Sequence, residues 1–534
     1  MFKKQFQLTV LLVFCALGSS SVLASDTAWT RTYPGASQAA RSIARDGTGN
    51  IIITGHGHRP GGFDLDYTTI KYLPNGDTAW LRYYNSPENV NDYAVAVGTD
   101  GEGNIYVTGH SDPGTASPDK KIVTVKYDAI GNLLWTSEYD PPYPPDSNRL
   151  AVPVDMFVNG FGYAYIAGHQ RGKGTAEDAL VIKYYPSGDT AWVRSYGRVN
   201  PQYSPYHDSL NAICVDGLGN VYATGSTGYT TSSMILTLAF NSTGNQSWVG
   251  VNEIVMPPEF GDDVGNDITV DNGGNAYVAG TAGSYPFSNI VTIKYLPNGD
   301  TAWVRRYNAQ GVAEIGYGER IALDPLGNVV VGCSGGPNTN TIDLITLKYS
   351  TAGELHWFTR TGRAIGQDLL SDMAVAADGW IWMTAASFNA GTNWNWLTVR
   401  LNPLGDPTWS DYYIGPGPIE YDTDIPAAIV ATDSTHAWVT GLKTTATMGS
   451  EFLTIAYQLD CCYGMTGNVD GDPDGLVDIS DLSILIDHLF FGFEPLPCFE
   501  EADIDNSGAI DISDLSAIID HIFFTMDFLP ECPR

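Results

Sequence analysis

Apolar residues follow two different patterns along the chain. Between about residues 26 and 459, apolar and polar positions alternate in short runs separated by Gly-rich turns, which predicts β-strands. In one stretch the strands are expected at Tyr93–Thr99, Asn104–Gly109, Lys121–Asp128 and Leu133–Tyr139. After residue 461 the apolar spacing becomes three and four over Leu482–Phe490 and Leu515–Phe523. That spacing predicts helices, so an all-β body should precede a small α-helical domain.

The all-β part consists of sequence repeats. A tryptophan recurs at intervals of 51 to 57 residues, at Trp29, Trp80, Trp135, Trp192, Trp248, Trp303, Trp357 and Trp409. A Lys-Tyr pair precedes most of them, at Lys71, Lys126, Lys183, Lys294 and Lys348. Repeats of this length with four strands each are typical of β-propeller blades. We expect each tryptophan to fill the wedge between neighbouring blades.

The two ends of the repeat predict how the ring closes. Residues 26–33 read as a fourth strand with nothing before it, and the last unit stops after Tyr457 without a fourth strand. The N-terminal strand should therefore complete the last blade and remove the free sheet edges. The prediction is an eight-bladed β-propeller over residues 25–460. The pattern resembles the bacterial β-propeller repeat family of secreted and surface proteins. Its Gly-x-x-x-Trp turn also resembles the tryptophan-docking repeats of quinoprotein dehydrogenases, without an accompanying catalytic acid.

Residues 1–24 have the features of a signal peptide. Lys3 and Lys4 precede the apolar run Leu8–Leu17, and Val22-Leu23-Ala24 has the small-residue pattern of a cleavage site. The run is too short to span a bilayer, and no later segment is a plausible membrane span. We therefore expect a secreted protein that is extracellular or associated with the cell surface.

Charge narrows the choice of partners. Among 534 residues there are 60 Asp and Glu but only 27 Lys and Arg, for a net charge of −33. Such a surface repels nucleic acid and anionic membranes, so neither is expected as a partner. Residues 461–534 alone hold 16 acidic residues and one basic residue.

This acidic segment contains two copies of one motif, 33 residues apart. Both follow D-x-D-x-[DS]-G-x-[VI]-D-x-x-D, in which alternating carboxylates surround a hard cation and the glycine allows the sharp turn. The predicted ligands of two Ca²⁺ ions are Asp470, Asp472, Asp474, Leu476, Asp478 and Asp481 in the first loop, and Asp503, Asp505, Ser507, Ala509, Asp511 and Asp514 in the second. The first loop has five carboxylates and the second four, so the first should bind more tightly. Because the unneutralised carboxylates repel one another, binding and folding should be coupled.

Two such loops with one helix each resemble a type I dockerin over about residues 467–524, in a domain spanning 461–534. In that family the module docks onto a cohesin domain of a secreted polysaccharide-degrading complex. The resemblance implies partner contacts at Ile479, Ser480, Ile512 and Ser513. Later contacts in the family are often basic, whereas the matching positions here are Asp487, Phe491, Asp520 and Phe524. This departure leaves open a different partner, or a role against the propeller. Cys461 or Cys462 should pair with Cys498 or Cys532, with the connectivity undetermined.

The propeller should bind its ligand on one face. The long loops after the second and fourth strands vary between units, and function tends to lie on variable loops over a rigid scaffold. Candidate residues for a protein or glycan ligand are Tyr143, Tyr203, Tyr206 and Trp394. The alternative is that these aromatic and proline residues merely stiffen the loops.

No catalytic residue is assigned from the sequence. His56, His110 and His169 occupy equivalent positions in three units, but blades packed about 10 Å apart would hold them too far apart for one metal; hydrogen bonding in the loops is the simpler role. Residues 332–336 match G-x-S-x-G without the strand-to-helix elbow that motif needs. Cys214 and Cys333 should be small buried hydrophobes.

Two functions remain open. We favour a non-catalytic binding or scaffold protein with a calcium-dependent attachment module. The alternative is a carbohydrate-active enzyme, a hydrolase or lyase, which would need paired carboxylates on the loop face. Asp92, Asp208 and Asp263, at the starts of three innermost strands, are the candidates to inspect. Capping or bridging between blades is their simpler role.

Overall fold

A computed structural model describes residues 26–34, 38–114, 119–141, 149–171, 176–198, 206–229, 232–253, 261–283, 288–307, 315–338, 340–362, 366–389, 393–415, 423–445, 449–459, 466–469, 477–492, 496, 498–505, 507, 510–525 and 529–530. The predicted signal peptide, residues 1–24, lies outside these ranges.

Strands make up most of the described chain up to residue 458, where β-branched and aromatic residues run between Gly-rich turns. In chain order they are β1 (Thr27–Tyr33), β2 (Ala39–Arg45), β3 (Ile51–His58), β4 (Leu65–Tyr72), β5 (Thr78–Tyr84), β6 (Asn91–Thr99), β7 (Ile105–Asp112), β8 (Lys121–Tyr127), β9 (Leu133–Tyr139), β10 (Ala151–Val158), β11 (Ala164–Arg171), β12 (Glu177–Tyr184), β13 (Thr190–Tyr196), β14 (His207–Val215), β15 (Val221–Tyr229) and β16 (Ser232–Phe240). They continue as β17 (Gln246–Asn252), β18 (Val264–Val270), β19 (Ala276–Ala282), β20 (Asn289–Tyr295), β21 (Thr301–Tyr307), β22 (Ile315–Leu323), β23 (Val329–Asn338), β24 (Thr341–Tyr349), β25 (Leu355–Thr361), β26 (Gly366–Val375), β27 (Ile381–Asn389), β28 (Asn393–Leu401), β29 (Pro407–Tyr413), β30 (Ile425–Ala431), β31 (His436–Thr444) and β32 (Ser450–Gln458).

The strands pair antiparallel in consecutive groups of four, which we call units. Units β2–β5, β6–β9 and β18–β21 are separate sheets. Short parallel pairings join β10–β13 to β14–β17, at Glu177 with His207, and β22–β25 to β26–β29, at Thr341 with Gly366. The last unit consists of β30, β31, β32 and β1. β1 pairs with β32, so the N-terminal strand completes the last sheet, as the sequence predicts.

The units are arranged radially. The first strand of each unit contacts the first strand of the next, from β2 with β6 through to β26 with β30, and β30 in turn contacts β2. Within a unit the middle strands are the most buried: Ile51, Ile52 and Ile53 of β3 are fully buried, whereas only Trp80 and Tyr84 are buried in the outermost strand β5. Four-stranded sheets packed in this way form a β-propeller, with the core between neighbouring sheets.

The recurring tryptophans pack between units, as predicted. The ring of Trp80 on β5 lies 5.9 Å from that of Tyr127 in the next unit, and its Nε1 donates to the carbonyl of Ala129 at 3.2 Å. Gly131 in the same turn has a φ of +86°, and a Cβ there would lie 2.9 Å from the Trp80 ring. Only glycine suits this turn, because it tolerates both the left-handed backbone and the close indole.

The C-terminal part is helical. It contains α1 (Ile479–Asp487), α2 (Phe499–Ala502) and α3 (Ile512–Asp520), with a wider helical turn after α1 and α3 at His488–Gly492 and His521–Thr525. Leu485, Ala502, Ile504 and Ile518 are fully buried in its own core. Among the described residues there is no helix with the length and apolar character to cross a bilayer.

Candidate functional site

Both long helices of the C-terminal domain begin at an aspartate of the repeated motif. Asp478 caps α1: its side chain accepts the backbone N–H of Ser480 at 2.7 Å, and its own N–H donates to Asp481 at 2.8 Å. The same two bonds recur at α3, where the cap is Asp511. Reciprocal capping explains why the helices begin three residues earlier than the apolar spacing predicts.

The second motif brings three predicted ligands together. One carboxylate oxygen from each of Asp503, Asp505 and Asp514 lies within 4.8 Å of the others. Asp514 is fully buried, Asp503 is 6% exposed and Asp505 is exposed. The backbone N–H of Ser507 donates to Asp503 at 2.9 Å, which curls the loop around the same point. Hard cations such as Ca²⁺ prefer clustered carboxylate oxygens of this kind.

Only some of the remaining predicted ligands lie among the described residues. Asp478 and Asp481 of the first motif hold positions equivalent to those of Asp511 and Asp514. The predicted ligands outside the described residues are Asp470, Asp472, Asp474, Leu476 and Ala509. Cys498 is disulfide-bonded, and the other cysteines of this domain, Cys461, Cys462 and Cys532, also lie outside the described residues.

The residues assigned to partner contacts lie on the surface. Ile479 and Ile512 are each 66% exposed, although both are apolar, and Ser480 and Ser513 beside them are exposed as well. The two helix ends therefore present matching apolar positions.

The described loop-face aromatic residues are only partly available. Tyr206 is 7% exposed, because it packs against Tyr229 with a ring distance of 4.4 Å and lies under the Arg198 guanidinium. It is buried and is not displayed as a ligand-face residue. Trp394 is half-buried against Phe388, and Tyr143 and Tyr203 lie outside the described residues.

The three aspartates at the starts of innermost strands are bound within the protein. Asp92 accepts from the N–H of Ser86 at 2.7 Å and from the hydroxyl of Ser111. Asp208 accepts from the N–H of Arg198, and Asp263 from that of Gly283. Each is at most 2% exposed. Asp92 and Asp208 tie the loop after the previous unit's fourth strand to the innermost strand, which is the expected bridging between units. The bond to Asp263 lies within its own unit.

Two of the three histidines pack against the same aromatic ring. The ring of His56 lies edge-on to Tyr93 at 5.0 Å, and that of His110 stacks on Tyr93 at 5.2 Å. Neither Nδ1 has a hydrogen-bond partner, so the expected loop hydrogen bonds are wrong at this atom. Burial lowers the pKa of both imidazoles to about 4, and it also lowers that of His169. In the described chain they do not join a cluster of metal-binding groups.

Ser334 and the two cysteines of the propeller have structural positions. Ser334 lies inside β23 and donates to Glu319 at 2.6 Å, so the G-x-S-x-G match is no nucleophile elbow. Cys214 and Cys333 are free, and burial raises the pKa of both thiols.

A ring of polar side chains lines a central cavity of about 620 Å³, and sequence reasoning missed it. Each first strand has a β-bulge, and the residue after the bulge points toward this cavity. In alternate units that residue accepts a backbone N–H from the next unit. These contacts are Ser42 with Val97, Asp155 with Ile213, Asp267 with Ile321, and Asp372 with Ile429, at 2.9 to 3.2 Å.

The units between them carry Ala96, Ala212, Arg320 and Ala428 at the same position. The Arg320 guanidinium donates to Asp372 at 2.9 Å. Burial raises the pKa of Asp267 to about 6 and that of Glu319 to about 7. The ring therefore fastens neighbouring units together.

Comparisons with known proteins show only distant likeness. No family model matches the chain, and no curated protein matches its sequence. Among solved structures, the WD40 domain of SCAP from fission yeast is similar at 10% identity, with 82% of this chain and 96% of that chain covered and a TM-score of 0.42. Polysaccharide lyase Uly1 shares 10% identity over 79% of this chain and 90% of its own, with a TM-score of 0.43. The Penicillium chrysogenum alpha-L-arabinanase shares 11% identity over 58% and 93%, with a TM-score of 0.36.

Proposed function

We propose that this chain is a secreted, non-catalytic binding or scaffold protein. An eight-bladed propeller, closed by its N-terminal strand, presents a loop face to a protein or glycan ligand. A C-terminal module binds two Ca²⁺ ions and attaches the propeller to a cohesin-like protein or cell-surface scaffold. The observation that carries the proposal is the convergence of Asp503, Asp505 and Asp514 within 4.8 Å at the start of a capped helix, in a motif present twice.

Three contacts support closure of the ring. β1 pairs with β32, β30 contacts β2, and the Nε1 of Trp409 donates to Asp26 at 2.8 Å. At this junction Asp26 accepts the indole N–H that a turn carbonyl accepts from Trp29, Trp80, Trp135, Trp192 and Trp303.

The state of the described loop-face carboxylates favours binding over hydrolysis. A glycosidase needs two accessible carboxyl groups beside the scissile bond. Asp92 and Asp208 are fully buried and accept hydrogen bonds from neighbouring loops. They therefore serve the scaffold, and the enzyme alternative gains nothing from them.

The calcium proposal is tested by calorimetric titration of the full chain with Ca²⁺. We expect two binding events. Asp505→Asn should weaken the second event, and Ser507→Asp should strengthen it, because each changes the charge at one motif position. Asp520→Asn removes an acidic side chain outside the loop and should leave both events unchanged. Absence of Ca²⁺ binding by the unaltered chain would refute the proposal.

Attachment is tested by capture of exported proteins on immobilised full chain, with Ca²⁺ or with EGTA. Replacing Ile479 and Ile512 by Asp should abolish capture while leaving Ca²⁺ binding intact, because both side chains are exposed and outside the ligand positions. Capture that is equal with Ca²⁺ and EGTA would contradict calcium-dependent attachment.

A further inference from the structure

A buried cation recurs at the same place between units. In β8, Lys126 lies opposite Tyr106; its Nζ is 3.4 Å from Asp100, 4.7 Å from the Tyr106 ring centre and 3.4 Å from the carbonyl of Pro186 in the next unit. The site consists of a turn carboxylate, an aromatic face and a carbonyl. Each of these groups is favourable to an ammonium ion.

Other units supply the cation in the same way or with small changes. Lys71 and Lys348 pair with turn carboxylates at 2.8 and 2.9 Å, and each donates to a turn carbonyl of the next unit. Lys183 and Lys294 lie over tyrosine rings and donate to the equivalent carbonyls. The unit β26–β29 uses arginine, with Arg400 over Trp382. In the last unit Ala456 stands opposite Trp438, and Arg45 of the neighbouring unit β2–β5 lies over that indole.

The unit β14–β17 has the receiving groups without the cation. Ala239 stands opposite Tyr222, in the register that places Lys126 opposite Tyr106. Asp216 holds the turn position of Asp100 and accepts from Asn220 at 2.8 Å. In the part of the chain that the structure describes, Asp216 has no basic partner. It is also more exposed than Asp100, which its lysine covers.

The space at this position is open and bounded by the expected groups. A cavity of about 490 Å³ is lined by Asp216, Tyr222, Ala239, Trp248 and Pro297. A cavity of the same volume between the first two units has Lys71 in its wall, paired with Asp46. In both, an indole forms one wall, so the two cavities differ mainly in whether the chain supplies its own ammonium group.

The carbonyl of Pro297, at this cavity, also lacks the indole N–H that equivalent carbonyls accept in other units. At Trp80 and Trp303, for example, the indole N–H donates to the equivalent carbonyl of the next unit at 3.2 and 3.1 Å. Trp248 makes no such bond to Pro297 among the described contacts. In other units the equivalent carbonyl accepts hydrogen bonds from both a lysine and an indole, as Ala129 does from Lys71 and Trp80. The Pro297 carbonyl holds the same position.

We propose that the cavity between β14–β17 and β18–β21 binds the primary ammonium group of an external ligand, a small aliphatic amine or a lysine side chain of a partner protein. The ammonium group takes the place of the missing lysine between Asp216, the Tyr222 ring and the Pro297 carbonyl. Leu218, 82% exposed at the rim, contacts the aliphatic stem. The net charge of −33 attracts a cation to this surface.

The test is titration of the full chain, in Ca²⁺, with n-butylammonium chloride and separately with Nα-acetyl-lysine methylamide. Binding is followed by calorimetry and tryptophan fluorescence, with NaCl keeping ionic strength constant. We expect saturable binding, no binding of tetramethylammonium, which has no N–H, and at least about tenfold weaker binding by Asp216→Asn. If both probes bind equally, small amines suffice; if the lysine derivative binds more tightly, a protein lysine is the source.

Two variants act as controls. Asp128→Asn alters a turn with the same hydrogen bonds, from Ile130 and Asn132, but away from this cavity, and should leave binding unchanged. Ala239→Lys should fill the site from within, abolish amine binding and raise Tm. Absence of saturable binding, equal binding by Asp216→Asn, or binding that persists in Ala239→Lys would overturn the proposal. The Ala239→Lys result decides the matter even if Asp216→Asn does not fold.

Discussion

Removing Ca²⁺ should unfold the C-terminal domain and leave the propeller intact. The reason is the repulsion among Asp503, Asp505 and Asp514, whose oxygens lie within 4.8 Å. For the buried pair Asp503 and Asp514, this distance gives at least about 3 kcal/mol at an effective dielectric of 20. Each pair that includes the exposed Asp505 adds about 1 kcal/mol at the dielectric of water. The total of about 5 kcal/mol equals the whole stability of a typical domain of this size.

Hydrogen exchange followed by mass spectrometry measures the unfolding of each peptide on Ca²⁺ removal. In EGTA, peptides covering α1 and α3 should exchange at rates close to those of an unfolded chain, while β3 and β4 stay protected. Asp503→Asn removes one charge but keeps an oxygen for the Ser507 N–H, so its effect should reverse sign with conditions. It should slow exchange of α3 in EGTA and speed it in Ca²⁺.

Two results would refute the electrostatic reasoning. One is equal protection of α3 with Ca²⁺ and with EGTA in the unaltered chain. The other is an Asp503→Asn variant that exchanges no more slowly than the unaltered chain in EGTA, because relief of repulsion is then not what Ca²⁺ provides.

Three further predictions concern the propeller. Folding raises the pKa of Asp267 from 3.8 to about 6, so the stability that the protonated carboxyl contributes is full below pH 4 and is lost as pH rises through 6. Asp267→Asn should therefore raise the free energy of unfolding by up to about 3 kcal/mol at pH 7.5 and leave it unchanged at pH 4, as measured by denaturant titration. Gly76→Ala, at φ +83° with an indole 2.7 Å from the new Cβ, should lower Tm by several degrees, whereas Gly47→Ala meets nothing within 4 Å and should leave it unchanged. Trp409→Phe removes the 2.8 Å bond to Asp26 and should cost about 1–2 kcal/mol, detected as faster exchange of β1.

The strand pattern was predictable because burial and turns leave a local signature. The four strands expected between residues 93 and 139 occur at Asn91–Thr99, Ile105–Asp112, Lys121–Tyr127 and Leu133–Tyr139. The tryptophan packing was predictable for the same reason, since large aromatic residues at a fixed interval need a recurring interior position. The convergence of Asp503, Asp505 and Asp514 was predictable from spacing alone, because the motif is continuous in sequence.

Contacts between units were not predictable in this way. His56 packs edge-on against Tyr93 in the neighbouring sheet, and no local pattern shows that pairing. The bulge that turns Asp155 toward the central cavity breaks the alternation by one residue, so its direction cannot be read from period two. Apolar spacing predicts the start of α1 three residues late, because Asp478 caps the helix and the first two residues that follow it are exposed.

The alternation around the central cavity sets a rule for rebuilding this ring. Ser42, Asp155, Asp267 and Asp372 occur in every second unit and accept an N–H from the unit that follows. Deleting a unit without an acceptor would bring two acceptor-bearing sheets side by side. Deleting a unit with an acceptor would bring together two sheets that both lack one. The smallest segment that can be deleted or duplicated with every such amide still matched is therefore a pair of sheets, about 110 residues of chain.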